Sequence, residues 1–239
     1  TLEQASDYKK ELICQKLQLK PMDHLVEIGS GWGGFAIYAA QHYGCKVTTI
    51  TISQAQYDEA VKRVEEAGLA HRVDIQLKDY RLLEGKYDKL VSIEMIEAVG
   101  EQYLSTYFKQ CRQLLKPKGL ALIQAITIED ARYEKALKTI DYIKRYIFPG
   151  SFIPCISMMT QAASEQKLRL KHLEDIGQSY AQTLHCWRDA FLAQREQVLA
   201  LGFDEDFIRM WDFYLCYCEG GFKEGVISDV HLLFEASSY

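Results

Sequence analysis

The stretch from residue 24 to residue 34 constrains the fold more than any other part of the sequence. It reads His-Leu-Val-Glu-Ile and then Gly-Ser-Gly-Trp-Gly-Gly, so a short apolar strand runs directly into a glycine-rich turn. The next segment, Phe35–Tyr43, has the pattern of a helix, and Gly44 is suited to end it. This order predicts a strand, a helix and a turn between them that brings the backbone close to a ligand.

The alternation of strands and helices continues to residue 126. Further strands are predicted at Lys46–Ile52, Val73–Lys78, Asp88–Glu94 and Leu120–Ile126. Helices are predicted at Leu2–Leu19, Gln54–Ala67 and Gln102–Leu115. Strands that alternate with helices of this length are typical of an α/β fold with a mostly parallel sheet and helices on both faces.

After residue 126 the sequence predicts mostly helix. The expected helices are Ile128–Ile147, His185–Leu201 and Phe207–Glu219, the expected strands are Lys167–Asp175 and Val226–Phe234, and residues 151–165 are expected to be irregular. We interpret the chain as one domain. Its expected parts are an N-terminal helix (1–20), a cofactor-binding α/β core (21–126), a mostly helical substrate region with a returning strand (127–225) and a last strand (226–239).

The glycine turn is a candidate cofactor site, because its glycines satisfy the G-x-G-x-x-G fingerprint of dinucleotide sites. A dinucleotide site also requires an acid at the end of the next strand to hold the ribose, and residues 50–53 read Ile-Thr-Ile-Ser. An acid two positions before the first glycine is instead typical of S-adenosylmethionine (SAM) methyltransferases. SAM is therefore favoured over a dinucleotide and over a purely structural turn. The candidate residues are Glu27, Gly29, Gly31 and Gly33.

A second candidate cofactor element follows the third predicted strand. Ligands of such sheets lie at the carboxyl ends of the strands. Asp79 could accept a hydrogen bond from the adenine amino group, and Tyr80 could stack on the adenine ring. The alternative interpretation of this segment is a solvated turn.

Several longer segments are similar to the cyclopropane-fatty-acyl-phospholipid synthase and mycolic acid cyclopropane synthase family. They cover nearly the whole chain and include Thr1–Ala5, Gly29–Gly33, Thr51–Gln56, Asp79–Arg81, Ile96–Gly100, Tyr146–Gly150, Tyr180–Leu184 and Tyr214–Phe222. The resemblance implies a Rossmann-like class I SAM methyltransferase with a seven-stranded sheet and a helical acyl-chain pocket. It also implies methyl transfer from SAM to the double bond of an unsaturated acyl chain, after which bound bicarbonate removes a proton and a cyclopropane closes.

The resemblance also implies roles for individual residues. Glu97 matches a glutamate that orients the bicarbonate, Tyr180 a tyrosine whose hydroxyl binds it, and Ile126 a position whose backbone contributes to the same site. Many members carry histidine where this chain has Gln124, which leaves a methyl-branched, methylene or cyclopropane product open. None of the six histidines fills that place, and surface or core roles are expected for them. Thr51 and Gln56 match cofactor contacts, and Ser53 and Ile93 are further candidates for them.

Charge and composition limit the partners. The formal net charge is −5, and the chain lacks the basic footprint of a nucleic-acid-binding protein. The resemblance makes phospholipid acyl chains the expected partner, at the cytoplasmic face of a membrane and without a spanning helix. No metal site is expected, because the seven cysteines lack the paired spacing of zinc ligands. A homodimer, a small-molecule amine acceptor and a non-catalytic SAM-binding or partner subunit stay open alternatives.

Overall fold

A computed structural model describes residues 1–238, and within that range the strands form one seven-stranded sheet. The strands are β1 (His24–Ile28), β2 (Lys46–Thr51), β3 (Val73–Leu77), β4 (Tyr87–Ile93), β5 (Leu115–Ile128), β6 (Leu168–Asp175) and β7 (Ile227–Ala236). Their order across the sheet is β3-β2-β1-β4-β5-β7-β6. Only β7 runs against its neighbours, which confirms the expected mostly parallel α/β sheet.

Helices cover the sheet. They are α1 (Leu2–Leu17), α2 (Gly34–Tyr43), α3 (Gln54–Glu66), α4 (Leu104–Leu114), α5 (Asp130–Lys138), α6 (Ile156–Glu165), α7 (Gly177–Ala193), α8 (Arg195–Ala200) and α9 (Glu205–Lys223). Short 3₁₀ turns lie at Tyr80–Leu82, Ile96–Ala98 and Glu101–Tyr103, and a π turn at Ile143–Ile147. The elements predicted up to residue 126 are present, with ends that differ by a few residues.

The prediction of one long helix over Ile128–Ile147 is wrong. The strand β5 extends to Ile128, and the helical part is divided into α5 and the π turn. At the break, Thr139 is extended, and its hydroxyl donates to the carbonyl of Lys135 at 2.7 Å, in competition with the helical backbone bonds. Asp141 then accepts from the backbone N–H of Lys144 at 2.9 Å and starts the next turn.

Two other expectations for the second half are corrected. Residues 151–165 are not irregular throughout, because α6 packs Met159, Ala162 and Ala163 into the core at helical spacing. The predicted helix His185–Leu201 is in fact two helices, α7 and α8, and α7 begins at Gly177. As a consequence Tyr180 lies in the first turn of a helix, above the sheet.

The mostly helical region after β5 packs against the sheet through its own apolar cluster. Ala181 and Leu184 of α7 meet Leu215 and Phe222 of α9, with Ile126 of β5 packed against them. This arrangement holds α7 and α9 over the carboxyl end of β5. Among residues 1–238, no helix is long and apolar enough to cross a membrane. The predicted boundaries within the domain stay a prediction.

Candidate functional site

The glycine turn between β1 and α2 has a backbone that only glycine adopts freely. Gly29, Gly31 and Gly33 all have positive φ angles, of 95°, 49° and 82°. A Cβ added to Gly31 would meet no atom within 4 Å, so the space beside the turn is open to a ligand. No side chain caps the first N–H groups of α2. These features fit a cofactor held by backbone N–H groups.

Glu27 lies beneath this turn rather than in it. The side chain is 2% exposed, and one of its oxygens, Oε2, accepts a hydrogen bond from the hydroxyl of Thr49 at 2.6 Å. Burial raises the pKa of Glu27 to about 8. The described contact is therefore with β2, and the expected role of orienting the glycine loop stays a prediction.

The candidate residues after β2 form one small cluster. The hydroxyl of Thr51 donates to Oε1 of Gln56 at 3.0 Å and accepts from the backbone N–H of Ser53 at 3.1 Å. Ser53 caps α3 by accepting from the backbone N–H of Gln56. The three residues thus lie together at the carboxyl end of β2, next to the glycine turn, whose Gly29 and Ser30 both donate to the carbonyl of Ile50.

The remaining cofactor candidates lie at neighbouring strand ends. Asp79 follows β3, and its carboxylate holds the guanidinium of Arg81 through two bonds of 3.0 and 2.6 Å. These bonds lower the pKa of Asp79. Tyr80 is partly buried edge-on against Tyr107, with 5.8 Å between ring centres. Ile93 is the last residue of β4. The roles of these residues toward SAM stay predictions.

A cavity of about 590 Å³ opens between the segments that follow β4 and β5 and the helices α7 and α9. Its volume lies within the usual range of roughly 300–1,000 Å³ for small-molecule sites. The wall is mainly apolar and aromatic, with charged side chains that include Asp141, Lys144 and Glu224. Residues from β5, α7, α9 and the π turn line it, among them Ile126, Ile128, Leu184, Phe148, Tyr214 and Phe222.

Two carboxylates from the segment after β4, Glu94 and Glu97, reach this cavity. One oxygen of Glu97, Oε1, accepts the backbone N–H of Ile126 at 2.6 Å, so the predicted backbone group and the predicted glutamate meet. Among the described residues no group bonds the buried Oε2 of Glu97. Burial raises the pKa of Glu97 to about 8, so this side chain keeps a proton at neutral pH.

The hydroxyl of Tyr180 donates to Glu94 rather than to Glu97. The O···O distance to Oε2 of Glu94 is 2.6 Å, and the Tyr180 ring stacks on Phe222 at 4.7 Å and 17°. Burial and the negative charge of Glu94 raise the pKa of Tyr180 well above its usual value. Tyr180 therefore stays a hydrogen-bond donor over the whole neutral range.

Gln124 is fully buried, and both N–H groups of its amide are used by carboxylates. They donate to Oε1 of Glu94 at 2.8 Å and to Oδ2 of Asp229 at 2.6 Å. On the other side, Nε2 of His231 lies 3.3 Å from the amide oxygen of Gln124, and Nδ1 of His231 lies 2.6 Å from the ammonium of Lys16. Because Lys16 can only donate, His231 accepts at Nδ1 and donates at Nε2, which fixes the amide orientation.

Glu94, Asp229 and His231 were not predicted as site residues. His231 is a buried, hydrogen-bonded histidine whose pKa is lowered to about 3 by burial and by Lys16. Burial and the charge of Glu94 raise the pKa of Asp229. A usable signal was present, since Glu94 directly follows β4, and Asp229 and His231 alternate along β7. His231 pairs directly with Gln124 across the sheet.

The bicarbonate implied by the resemblance does not fit these donors as the structure arranges them. The backbone N–H of Ile126 is taken by Glu97, the hydroxyl of Tyr180 by Glu94, and both amide N–H groups of Gln124 by Glu94 and Asp229. A further anion would lie close to the carboxylate of Glu94, and like charges at such distances repel.

The mixed seven-stranded sheet, the open glycine turn after β1 and the cavity beyond β4 together define a Rossmann-like SAM methyltransferase fold. A solved mycolic acid cyclopropane synthase, complexed with SAH and CTAB, superposes with a TM-score of 0.91 at 26% identity. The comparison covers 98% of this chain and 85% of that one. The sequence model of the mycolic acid cyclopropane synthetase family matches residues 1–232. The chain therefore belongs to that family, as its sequence motifs predicted.

Two curated relatives carry different names. The chain is 42% identical over 205 residues to the tuberculostearic acid methyltransferase of Mycobacterium tuberculosis, which is 85% of this chain and 48% of the relative. It is 37% identical over 222 residues to the cyclopropane-fatty-acyl-phospholipid synthase of Escherichia coli, which is 93% of this chain and 56% of the relative. The chain thus spans about half the length of the curated relatives that it matches.

Proposed function

We propose that this protein transfers the methyl group of SAM to the double bond of an unsaturated acyl chain. The observation that carries the proposal is the cavity, which has a volume of about 590 Å³, is mainly apolar and is lined by the hydrogen-bonded carboxylate of Glu94 and hydroxyl of Tyr180. Met95 lies in the same segment as the cavity residues Glu94 and Glu97 and comes within 3.4 Å of the position of a Cβ on Gly29. The segment that lines the cavity therefore also packs against the glycine turn, which favours an acyl chain close to the cofactor.

The chain's residues supply binding and exclusion of water. SAM supplies an electrophilic methyl group when it is bound. An alkene is a weak nucleophile, so its carbon must be held about 3–3.5 Å from the methyl group. Attack leaves a carbocation that water would capture, and an apolar cavity keeps water away. Tyr214, Phe148 and Phe222 present aromatic side chains to the cavity, and each ring face can contribute about 0.5–2 kcal/mol to holding a cation.

Both relatives' names describe lipid products and fit this first step. One name specifies a methylated fatty acid and the other a cyclopropane fatty acid. We infer a cyclopropane product for this protein, formed when the cationic intermediate loses a proton. The expected source of acyl chains is phospholipid at the cytoplasmic membrane surface, reached through the side of the cavity that Asp141, Lys144 and Glu224 border.

The test is an in vitro assay with methyl-deuterated SAM and vesicles of phospholipid with cis-monounsaturated acyl chains. We expect labelled, ring-containing chains, and no product from vesicles with only saturated chains. The variant Leu137→Trp places a bulky ring in the cavity wall from a side chain that is 36% exposed, and it should raise KM for lipid at least tenfold. Its matched control is Leu201→Trp, at an exposed position outside the cavity wall.

A small-molecule amine acceptor is the second candidate, because the carboxylate of Glu94 in the cavity would attract a cation. The same labelled SAM, supplied with the vesicles together with a metabolite extract, separates the two candidates. Methylation of amines in a metabolite extract, with no change in the lipids, would mean that the substrate is an amine and not an acyl chain. Labelled acyl chains would exclude the amine as the substrate.

A further inference from the structure

We propose that the carboxylate of Glu94 is the base of this site and takes the place that the family resemblance gives to bicarbonate. This inference rests on the proposed function above. The donors that an external anion would need are already bonded to carboxyl groups of the protein. The hydroxyl of Tyr180, which the resemblance assigns to an external anion, and the amide of Gln124 instead hold the side chain of Glu94.

The carboxylate is fixed in position from both sides. Oε2 of Glu94 accepts from Tyr180 at 2.6 Å, and Oε1 accepts from Gln124 at 2.8 Å. A carboxylate has about four lone-pair sites, so two bonds leave it able to accept a proton.

The side-chain amide of Gln124 is held in the orientation that donates to Glu94. Lys16 donates to His231, and His231 donates to the amide oxygen of Gln124, so both amide N–H groups point at carboxylates. A glutamine that flipped would set its oxygen against the oxygens of Glu94 and Asp229. The chain Lys16–His231–Gln124 thus positions Glu94, and these are positioning residues rather than catalytic ones.

The backbone of Glu94 supports a functional role for this position. Glu94 has a φ of 50°, in the left-handed region that costs about 1–2 kcal/mol for a residue with a Cβ. Strained conformations of this kind cluster at functional sites. Here the strained residue is the one that follows β4 and lines the cavity.

The proton transfer balances without another reactant. Once the transferred methyl carbon has bonded to one alkene carbon, the other alkene carbon carries the positive charge. A carboxylate oxygen of Glu94 takes a proton from the transferred methyl group, and the electron pair of that C–H bond forms the third bond of the ring. Glu94 is left as the neutral acid and returns its proton to water after the product leaves.

The first experiment measures turnover of the purified protein in carbon-dioxide-free buffer, with and without added bicarbonate. We expect the two rates to agree within about twofold. A rate that rises tenfold or more with bicarbonate would overturn the assignment. A wild-type protein that makes no product in either buffer would overturn the proposed function and, with it, this assignment.

The second experiment compares Glu94→Gln with the matched control Glu84→Gln, an exposed carboxylate outside the cavity wall. Loss of a positioned general base costs about 10²–10⁴ in turnover, and we expect a loss of that size for Glu94→Gln alone. SAH affinity, measured by isothermal titration, should stay within about twofold of wild type. Turnover above a tenth of wild type in Glu94→Gln would contradict the proposal.

A third variant covers the case in which Glu94→Gln folds poorly. Glu94→Gly removes the carboxylate and relieves the left-handed backbone, because glycine adopts φ of 50° freely. It frees the donors of Tyr180 and Gln124 for an added anion. We expect bicarbonate or formate to raise its turnover at least tenfold and ¹³C-bicarbonate to bind this variant but not the wild type. Wild-type binding of bicarbonate at the same affinity would refute the assignment.

Discussion

Tyr180→Phe removes one hydroxyl group and leaves the surrounding packing in place. The Tyr180 ring stacks on Phe222 at 4.7 Å and meets Trp187 edge-on at 6.1 Å, and a phenylalanine ring keeps both contacts. What the variant loses is the 2.6 Å hydrogen bond to Glu94. A hydrogen bond to a charged group contributes about 1.5–3 kcal/mol, which corresponds to about a 10- to 150-fold change in rate.

The assay is turnover of cis-monounsaturated phospholipid vesicles with methyl-deuterated SAM. We expect kcat to fall about 10- to 150-fold, while the affinity for SAH, measured by titration, does not change. The loss should be smaller than that of Glu94→Gln, because the phenylalanine variant keeps the carboxylate and its bond to Gln124. A kcat within twofold of wild type would refute the claim that this hydroxyl acts through Glu94.

Three further predictions concern the cofactor turn and the buried charges. Gly31→Ala, whose added methyl group points into the open space beside the turn, should weaken SAH binding at least tenfold, whereas Gly68→Ala, with a similar positive φ, should lower stability without changing SAH affinity. Lys16→Met should lower the free energy of unfolding by about 1–3 kcal/mol, because Nδ1 of His231 loses its donor. The control Lys62→Met, at an exposed position, should change that free energy very little. Equal losses for the two variants in urea unfolding would contradict this reasoning. For Glu27, burial raises the pKa from 4.5 in the unfolded chain to about 8 in the fold, so the folded protein binds this proton more tightly and loses stability as pH rises through that window. Glu27→Gln should therefore gain stability relative to wild type between pH 5.5 and 8.5 in urea unfolding, and a difference that does not depend on pH would disprove the buried titration.

The sequence predicted the α/β half well because its strands and helices have unambiguous local signals. The glycines at residues 44 and 68, a short apolar strand before the glycine turn and the β-branched run of β2 mark their elements directly. The helical half was predicted less well. The break after α5 depends on a competing bond of Thr139, and α6 is specified by the core that it enters rather than by a helix signal of its own.

The candidate site was predicted in part. The motifs identified Glu97, Ile126, Gln124 and Tyr180. In the structure Glu97 bonds the backbone of Ile126, Tyr180 and Gln124 both bond Glu94, and all but Gln124 line the cavity. Two of their partners, Asp229 and His231, depend on which strand is placed beside β5, and the sequence alone does not give that placement. Asp229 lies 105 residues from Gln124 in sequence, and only the antiparallel insertion of β7 makes them neighbours.

The chemistry at the double bond is tested most directly by mass spectrometry of membrane fatty acids. Cells unable to modify their double bonds would produce the protein while supplied with methyl-deuterated methionine. We predict that unsaturated chains gain one labelled carbon that keeps two deuterium atoms and that their double bond is replaced by a ring, since one deuteron is lost to the base. A branch that keeps all three deuterium atoms would contradict proton removal from the methyl group. Unchanged fatty acids, from cells in which the protein is folded and binds SAM, would contradict the acyl-chain substrate itself.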